Sequence, residues 1–347
     1  MMEKPVKILV HSSERRYLDS NSTVWESLKN KGHEVVFWLH MHNLEANEGV
    51  IEAYRRRGFL VLQGVSMEDY DGKDAIHYIS KFNPDVIIPV EPSIYSWVKI
   101  HKVFRSSFPN IPIVSIQNSF GGKTEEFYKD IRREGGWYLD YQLVWGKQQI
   151  ARNYAGGLSK ERMIIVGNPN WDKYYESKTE DHGYVLFIAG TGVDCYKALN
   201  LEKIWEENPT LHFYFKEHPN HKNFFQSYSR IGGRVRVQVC YNAPIQKLIR
   251  CAKVVVSSTS TCGVDSMILG KPTIILNVGE NTDKFSNSGR VVSPTYESFS
   301  KELGLCLESK EDRQKIPAFL ESVAFVNDGQ ATQRVVEAIL QIVGGKK

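Results

Sequence analysis

Leu211-His212-Phe213-Tyr214-Phe215 runs directly into Lys216-Glu217-His218-Pro219. About forty residues later, Val254-Val255-Val256 runs into Ser257-Ser258-Thr259-Ser260-Thr261-Cys262-Gly263-Val264-Asp265. Each apolar run has strand length and reads as buried, and each empties into polar residues where a strand would give way to a turn or helix. Ligands in open α/β sheets sit in the crevice outside the carboxyl ends of the strands. Helix N-termini there offer free N–H groups and a positive dipole end to an anion. The two stretches together predict a parallel sheet whose strand ends hold a phosphorylated ligand.

The same alternation extends outward on both sides. Val6 to Val10, His33 to Leu39, Phe59 to Leu62, Asp85 to Val90, Ile111 to Ile116, Tyr141 to Trp145 and Arg162 to Val166 read as strands. Helical patterns over Ser22 to Lys31 and Lys73 to Phe82 separate some of them. A second series follows, with Tyr184 to Ile188, Leu211 to Phe215, Arg234 to Val237, Val254 to Val256 and Thr273 to Leu276. Strands alternating with helices predict right-handed βαβ units and mainly parallel sheets. The fold class expected is α/β, with two facing Rossmann-like domains and a cleft between them. The polar segment Glu176 to Gly183 lacks periodicity and packing residues and reads as a hinge. Residues 1–172 are therefore assigned to an acceptor-side domain, 173–183 to a linker and 184–328 to a nucleotide-donor domain. Residues 329–347 form a last helix that packs back on the first domain by fold analogy.

Bulk properties narrow the classes. The chain has 347 residues, enough for two ordinary domains, and 41% hydrophobic against 24% charged residues, as in folded globular proteins. A formal charge of +4 without a concentrated basic face does not indicate nucleic-acid binding. Five scattered cysteines with no Cys-x-x-Cys pair fit a reducing cytosol better than a disulfide framework or a zinc ribbon. The short apolar run after Met1 to Pro5 is neither a signal peptide nor a membrane span. A cytoplasmic protein is expected, at most peripheral at the inner face of the membrane. After the first strand stands His11-Ser12-Ser13 rather than a glycine dinucleotide fingerprint, which speaks against tightly bound NAD.

The residues that could carry chemistry lie at predicted strand ends. Pro219 restricts the preceding residue to extended backbone, so the His218 imidazole is aimed, and it could bond a donor phosphate or stabilise a leaving one. A histidine packed at a sheet edge is the plainer alternative. Any one of Ser257, Ser258, Thr259, Ser260 and Thr261 could be a helix cap, but five in succession exceed one cap, and the surplus could hold a pyrophosphate. Gly263 would let the backbone approach a ligand or the sheet closely. Asp265, one turn after Thr261, could order the hydroxyls, reach a ribose or simply favour the helix dipole. Lys216 adds a cation, and Gly190-Thr191-Gly192 is a weaker second phosphate contact. Asp69-Tyr70-Asp71-Gly72 reads as a turn rather than a metal-binding Asp-x-Asp. In the first half, His11 with Glu14, and Gln117-Asn118-Ser119, occupy the acceptor side. A transferase also needs a general base for the acceptor hydroxyl. Glu91, between Val90 and Pro92, is the best placed, Glu134 before Gly135-Gly136 is next, and Glu125 and Glu126 lie nearby.

Taken together these motifs resemble the CDP-glycerol glycerophosphotransferase family of teichoic-acid polymerases. They also resemble its relatives, the capsule Kdo transferases, His-Pro sialyltransferases and, more distantly, non-hydrolysing UDP-N-acetylglucosamine 2-epimerases. The likeness rests on Lys216 to Pro219, on Ser260 to Asp265 followed by Lys271-Pro272-Thr273-Ile274-Ile275, on Gly167-Asn168-Pro169-Asn170-Trp171-Asp172, and on Asp328-Gly329-Gln330-Ala331-Thr332-Gln333-Arg334. It implies the GT-B arrangement, with the donor on the second domain, His218 and the Ser260-Thr261 region on its phosphates, and no metal or resident cofactor. Where the teichoic enzymes carry His-Gly at a first-domain strand end, this chain has Gln117-Asn118-Ser119. The expectation is therefore a glycosyltransferase with a carboxylate base, moving a sugar or polyol phosphate from a pyrimidine-nucleotide donor to a carbohydrate or lipid-linked acceptor in surface-polysaccharide assembly. Two alternatives stand beside it. One is a UDP-N-acetylglucosamine 2-epimerase-like isomerase, which should carry Gly-Gly and paired glutamates where this chain has Cys262-Gly263 and Asp265. The other is a non-catalytic nucleotide-binding subunit.

Overall fold

The computed structural model describes residues 4–12, 19–39, 48–63, 73–90, 102–117, 120, 138–155, 157–189, 196, 198–217, 237–240, 243–279 and 282–345. Two compact units divide the chain: Met1–Lys173 with Val323–Lys347, and Tyr174–Ser322.

In the first unit, β1 (Lys7–Ser12), β2 (Glu34–Leu39), β3 (Leu60–Gln63) and β4 (Val86–Val90) lie in the order β3-β2-β1-β4, all parallel. β5 (Val114–Ile116), β6 (Tyr141–Val144) and β7 (Met163–Ile165) pair in parallel as β5-β6-β7. A parallel bridge between Ile87 and Ile113, with the Ile87 N–H donating to the Pro112 carbonyl at 2.9 Å, joins the two runs side by side. Alternate residues serve the two faces, as a period of two requires. Ile8, Val10 and Phe37 meet Trp25 and Leu28 of the helix Ser22–Asn30 and Val335, Val336 and Ile339 of the helix Ala331–Gly344. Leu9, Val36, Trp38 and Ile87 meet Phe104 and Ile113 on the other side. Burial on both faces explains why these strands are almost unbroken apolar runs.

The final helix is fastened to this unit by polar contacts as well as by its apolar face. Asp172 accepts from the backbone N–H groups of Ala331 at 2.8 Å and Thr332 at 2.7 Å, two of the orphan donors of that helix. Arg334 donates to the Val166 carbonyl at 2.8 Å and to both oxygens of Asp328 at 2.9 and 2.7 Å. Gly167 has φ +82°, and a Cβ on it would meet the Ala331 Cβ at 3.1 Å and Arg334 Nη2 at 3.2 Å. The stretches Gly167 to Asp172 and Asp328 to Arg334, remote in sequence, thus lock onto one another.

In the second unit, β8 (Tyr184–Ile188), β9 (His212–Lys216), β10 (Val237–Cys240), β11 (Val254–Ser257), β12 (Thr273–Leu276) and β13 (Val291–Val292) form a parallel sheet ordered β10-β9-β8-β11-β12-β13. The order runs one way from β8 to β10 and the other from β11 to β13. The change of direction between β8 and β11 is the switch point at which such sheets bind ligands. Its core joins Val185, Phe187, Phe213, Phe215, Val254 and Val256 to Trp205 and Phe299.

The fold is therefore the α/β class expected, with parallel Rossmann-like sheets in separate units. The differences are local. β13 has only two residues, too few for a period to show in sequence. The strand expected over Arg234 to Val237 is seen as Val237–Cys240, its earlier residues lying outside the described ones. The polar segment Glu176 to Gly183 is held by backbone bonds, from Glu180 N–H to the Arg250 carbonyl and from His182 N–H to the Cys251 carbonyl, each 3.0 Å. Main-chain pairing of that kind leaves no trace in a hydropathy pattern.

Candidate functional site

The switch point of the second sheet is lined by hydroxyls. Ser257 ends β11, and Ser258 follows it. Both are wholly buried, and among the described residues neither Oγ has a hydrogen-bond partner. A buried hydroxyl left unpaired costs about 1–3 kcal/mol, so two in succession are unusual in a core and ordinary at a place where a ligand completes the bonding. The next residues are less available. Ser260 Oγ accepts from the Cys262 N–H at 3.3 Å, a local turn closure. The helix that follows, Cys262–Ile268, has seven residues, and the Thr261 side chain makes no capping bond to it. So short a helix has little dipole, and the hydroxyls and nearby cations are the stronger attraction for an anion.

Two lysines supply positive charge here. Lys216 ends β9, which is separated from β11 by β8 alone, so the two strand ends lie roughly 10 Å apart at about 4.8 Å per strand. Its charge reaches as far as Cys262, where burial and Asp265 outweigh it. Lys284, in the 3-10 turn Asp283–Ser288, donates from Nζ to the Thr259 carbonyl at 2.5 Å. Sequence reading missed Lys284. It sits in no motif, and its only signal is that it follows β12 by a loop at the same sheet edge. Glu217, directly after Lys216, is buried at the end of β9.

Gly263 is required by the sheet. A Cβ there would come within 2.7 Å of Ile275 Cδ1 and 3.2 Å of the Phe285 ring, so the glycine lets the helix lie close on β12. Tyr174 donates its hydroxyl to Asp265, and burial first and the carboxylate second raise its pKa. Asp265 is thus a fixed partner of Tyr174. Burial pushes the Cys262 thiol up to about 12, with Asp265 adding to the shift, so this cysteine is protonated at neutral pH and poorly suited to be a nucleophile.

In the first unit, His11 lies near the end of β1, 2% exposed, its ring 4.7 Å from that of Trp38 and 5.7 Å from that of Phe104. Gln117 follows β5 and is spent on the fold. Its Oε1 accepts from the Trp145 N–H at 2.7 Å and its Nε2 donates to Gln149 at 3.3 Å. Gln149 in turn donates to Asn153 at 2.8 Å and Asn153 to Gln142, an amide chain tying β5, β6 and the helix Lys147–Ala155 together. Glu91, Glu134 and His218, the candidate catalytic groups, lie outside the described residues, as do Gly190, Thr191, Asn118, Glu14, Glu125 and Glu126. The structure accordingly gathers Lys216, Ser257, Ser258, Thr259, Ser260, Thr261 and Asp265 at one end of the second sheet, and His11 and Gln117 at carboxyl ends of the first.

No family model matches the chain, and no curated protein matches its sequence. Solved structures do resemble it over nearly its whole length. A Listeria monocytogenes protein assigned as a UDP-N-acetylglucosamine 2-epimerase superposes with a TM-score of 0.73 at 13% identity, covering 98% of this chain and 97% of that one. The UDP-GlcNAc 2-epimerase of Neisseria meningitidis, solved bound to UDP-GlcNAc, has a TM-score of 0.65 at 13% identity, with 97% and 100% covered. A glycosyltransferase of Rickettsia africae has 0.67 at 10% identity, with 99% of both chains covered. Among the described residues no helix is long and apolar enough to cross a membrane. At these identities the likeness establishes the fold, two Rossmann-like units of the GT-B type.

Proposed function

We propose that the chain is an enzyme acting on a uridine-diphosphate sugar, and that its reaction is epimerisation at C2 of the kind carried out by UDP-N-acetylglucosamine 2-epimerases. The observation that carries the nucleotide reading is the pair of buried hydroxyls of Ser257 and Ser258 at the switch point, without hydrogen-bond partners among the described residues, with Lys216 and Lys284 beside them. A diphosphate supplies acceptor oxygens for both alcohols and negative charge for both ammoniums. The epimerase reading takes its support from full-length structural likeness to such enzymes. The sugar nucleotide is a substrate here rather than a resident cofactor.

Glycosyl transfer is the second reading, and one observation favours it. Where an epimerase of this kind should carry paired acidic residues, this chain has the single Asp265, already engaged by the Tyr174 hydroxyl. Both readings bind the same sugar nucleotide through its diphosphate, so both need the same anion cradle. His218 on the donor phosphates, and Glu91 or Glu134 as base, remain part of the proposal. Assembly of a surface polysaccharide is the process that either product would serve.

Incubation with UDP-N-acetylglucosamine alone in D2O separates the readings. Inverting C2 requires its C–H bond to break, so epimerisation predicts deuterium at C2 and a second sugar nucleotide without any acceptor. Transfer predicts UDP binding with no exchange. Failure of UDP to bind at all would refute both.

A further inference from the structure

The opposite, amino end of the second sheet carries a cluster that nucleotide binding leaves unused. Glu180, His182 and Cys251 each bring one donor atom to within 4.8 Å of the others. Glu180 and His182 are exposed, and Cys251 is buried beneath them at the end of the helix Ile245–Cys251. His182 Nε2 lies 2.8 Å from Glu180 Oε2. The backbone that presents them is held firmly. Glu180 N–H donates to the Arg250 carbonyl at 3.0 Å, His182 N–H to the Cys251 carbonyl at 3.0 Å and Lys253 N–H to the Tyr184 carbonyl at 2.8 Å. Tyr184 adds a bond from its hydroxyl to the Leu248 carbonyl at 2.6 Å, and Arg250 donates twice to the Lys178 carbonyl. A cavity of about 390 Å³ opens beside the cluster, lined by His182 and Cys251 and also by His212 and Cys240.

We propose that Glu180, His182 and Cys251 form a binding site for a divalent ion of the zinc class, with its fourth position open to the cavity. One sulfur, one imidazole nitrogen and one carboxylate oxygen suit a borderline-soft, tetrahedral ion, and hard ions such as magnesium prefer oxygen alone. Bond lengths of about 2.0–2.3 Å put neighbouring ligand atoms of a tetrahedron roughly 3.3–3.6 Å apart, so donors already within 4.8 Å need only small movements. The charges close as well. A thiolate and a carboxylate balance a doubly positive ion. The Lys271 ammonium, which donates to the Glu180 carbonyl at 2.5 Å, is offset by Asp181 close by. An exposed Glu–His pair by itself contributes little, and the buried thiol behind it is what turns the pair into a ligand set. The ion would tie the segment before β8 to the end of a helix, a structural role at the far end of the strands from the nucleotide cradle and independent of the reaction assigned there.

Cobalt(II) titration of the full chain, with zinc competition, tests this. One equivalent is expected to bind with a thiolate-to-cobalt charge-transfer band, to be displaced by zinc, and to raise the melting temperature. Cys251→Ser should abolish that band. His182→Gln and Glu180→Gln, both at exposed positions where folding is not at stake, should each weaken binding about tenfold or more. No binding by the native chain, or binding with the same spectrum and affinity in all three variants, overturns the proposal. Because the readout is absorption by the metal, neither result depends on the enzymatic activity.

Discussion

Ser257 and Ser258 make the sharpest claim in the molecule, because a ligand role and a folding role predict opposite results. Their hydroxyls are buried without partners among the described residues, so Ser258→Ala removes a polar group unpaired there and leaves only a small gap. Stability should be unchanged or rise by up to about 1 kcal/mol, and UDP affinity should fall. Chemical denaturation and titration calorimetry on the same sample measure both. A loss of stability with unchanged UDP affinity would assign the residue to the core. Gly263 makes the contrasting case. Its Cβ would overlap Ile275, so Gly263→Ala should cost about 1–3 kcal/mol as overpacking. The buried Arg290 belongs with it. It donates to the Thr273 carbonyl at 2.8 Å and pairs with Glu302 at 2.6 Å, a charge spent within the fold.

The helix Ala331–Gly344 is held in place by side chains from distant parts of the chain. Asp172 caps it across 159 residues of sequence. Asp172→Ala leaves two helix N–H groups without their charged acceptor and should destabilise the first unit by about 1–2 kcal/mol, read from the urea midpoint. The Asp328–Arg334 pair adds a pH dependence. The Arg334 guanidinium, ahead of smaller backbone bonds, lowers the Asp328 pKa. A carboxylate lowered in the folded state contributes stability above its unfolded pKa, near 3.9, and loses it as pH falls through the folded value. Asp328→Asn should therefore weaken the first unit at pH 7, and the difference from the native chain should vanish in strong acid. The pair is partly exposed, so the effect at pH 7 is modest, about 1 kcal/mol or less.

For the molecule as a whole, the chain path sets the folding units. The second unit is one continuous segment, Tyr174–Ser322, whereas the first is closed by residues from both ends of the chain. A chain ending at Ser322 lacks Val335, Val336 and Ile339, which cover one face of the first sheet. It should lose the thermal transition of the first unit and keep that of the second, by calorimetry. UDP at 100 times its dissociation constant should stabilise the unit that binds it by about 2.7 kcal/mol. Selective movement of the second unit's transition in the full chain would locate the nucleotide there, and movement of the first alone would refute the cradle.

Most of the strand pattern was legible from sequence, because strands buried on both faces must be apolar throughout, and the alternating helices imply parallel pairing. That Ser257 to Thr261 begin at a strand end was legible too, since an apolar run of strand length stops where they start. Sequence could not distribute roles among them. Among the described residues Ser257 and Ser258 are buried without partners, whereas Ser260 closes a local turn, and only packing makes that difference. Nor could it show that Gln117 is consumed by an amide chain, that Asp265 is held by Tyr174, or that Lys284 comes to rest on Thr259. Local hydropathy is written residue by residue along the chain. Which polar group meets which is decided by strands brought side by side from distant parts of it.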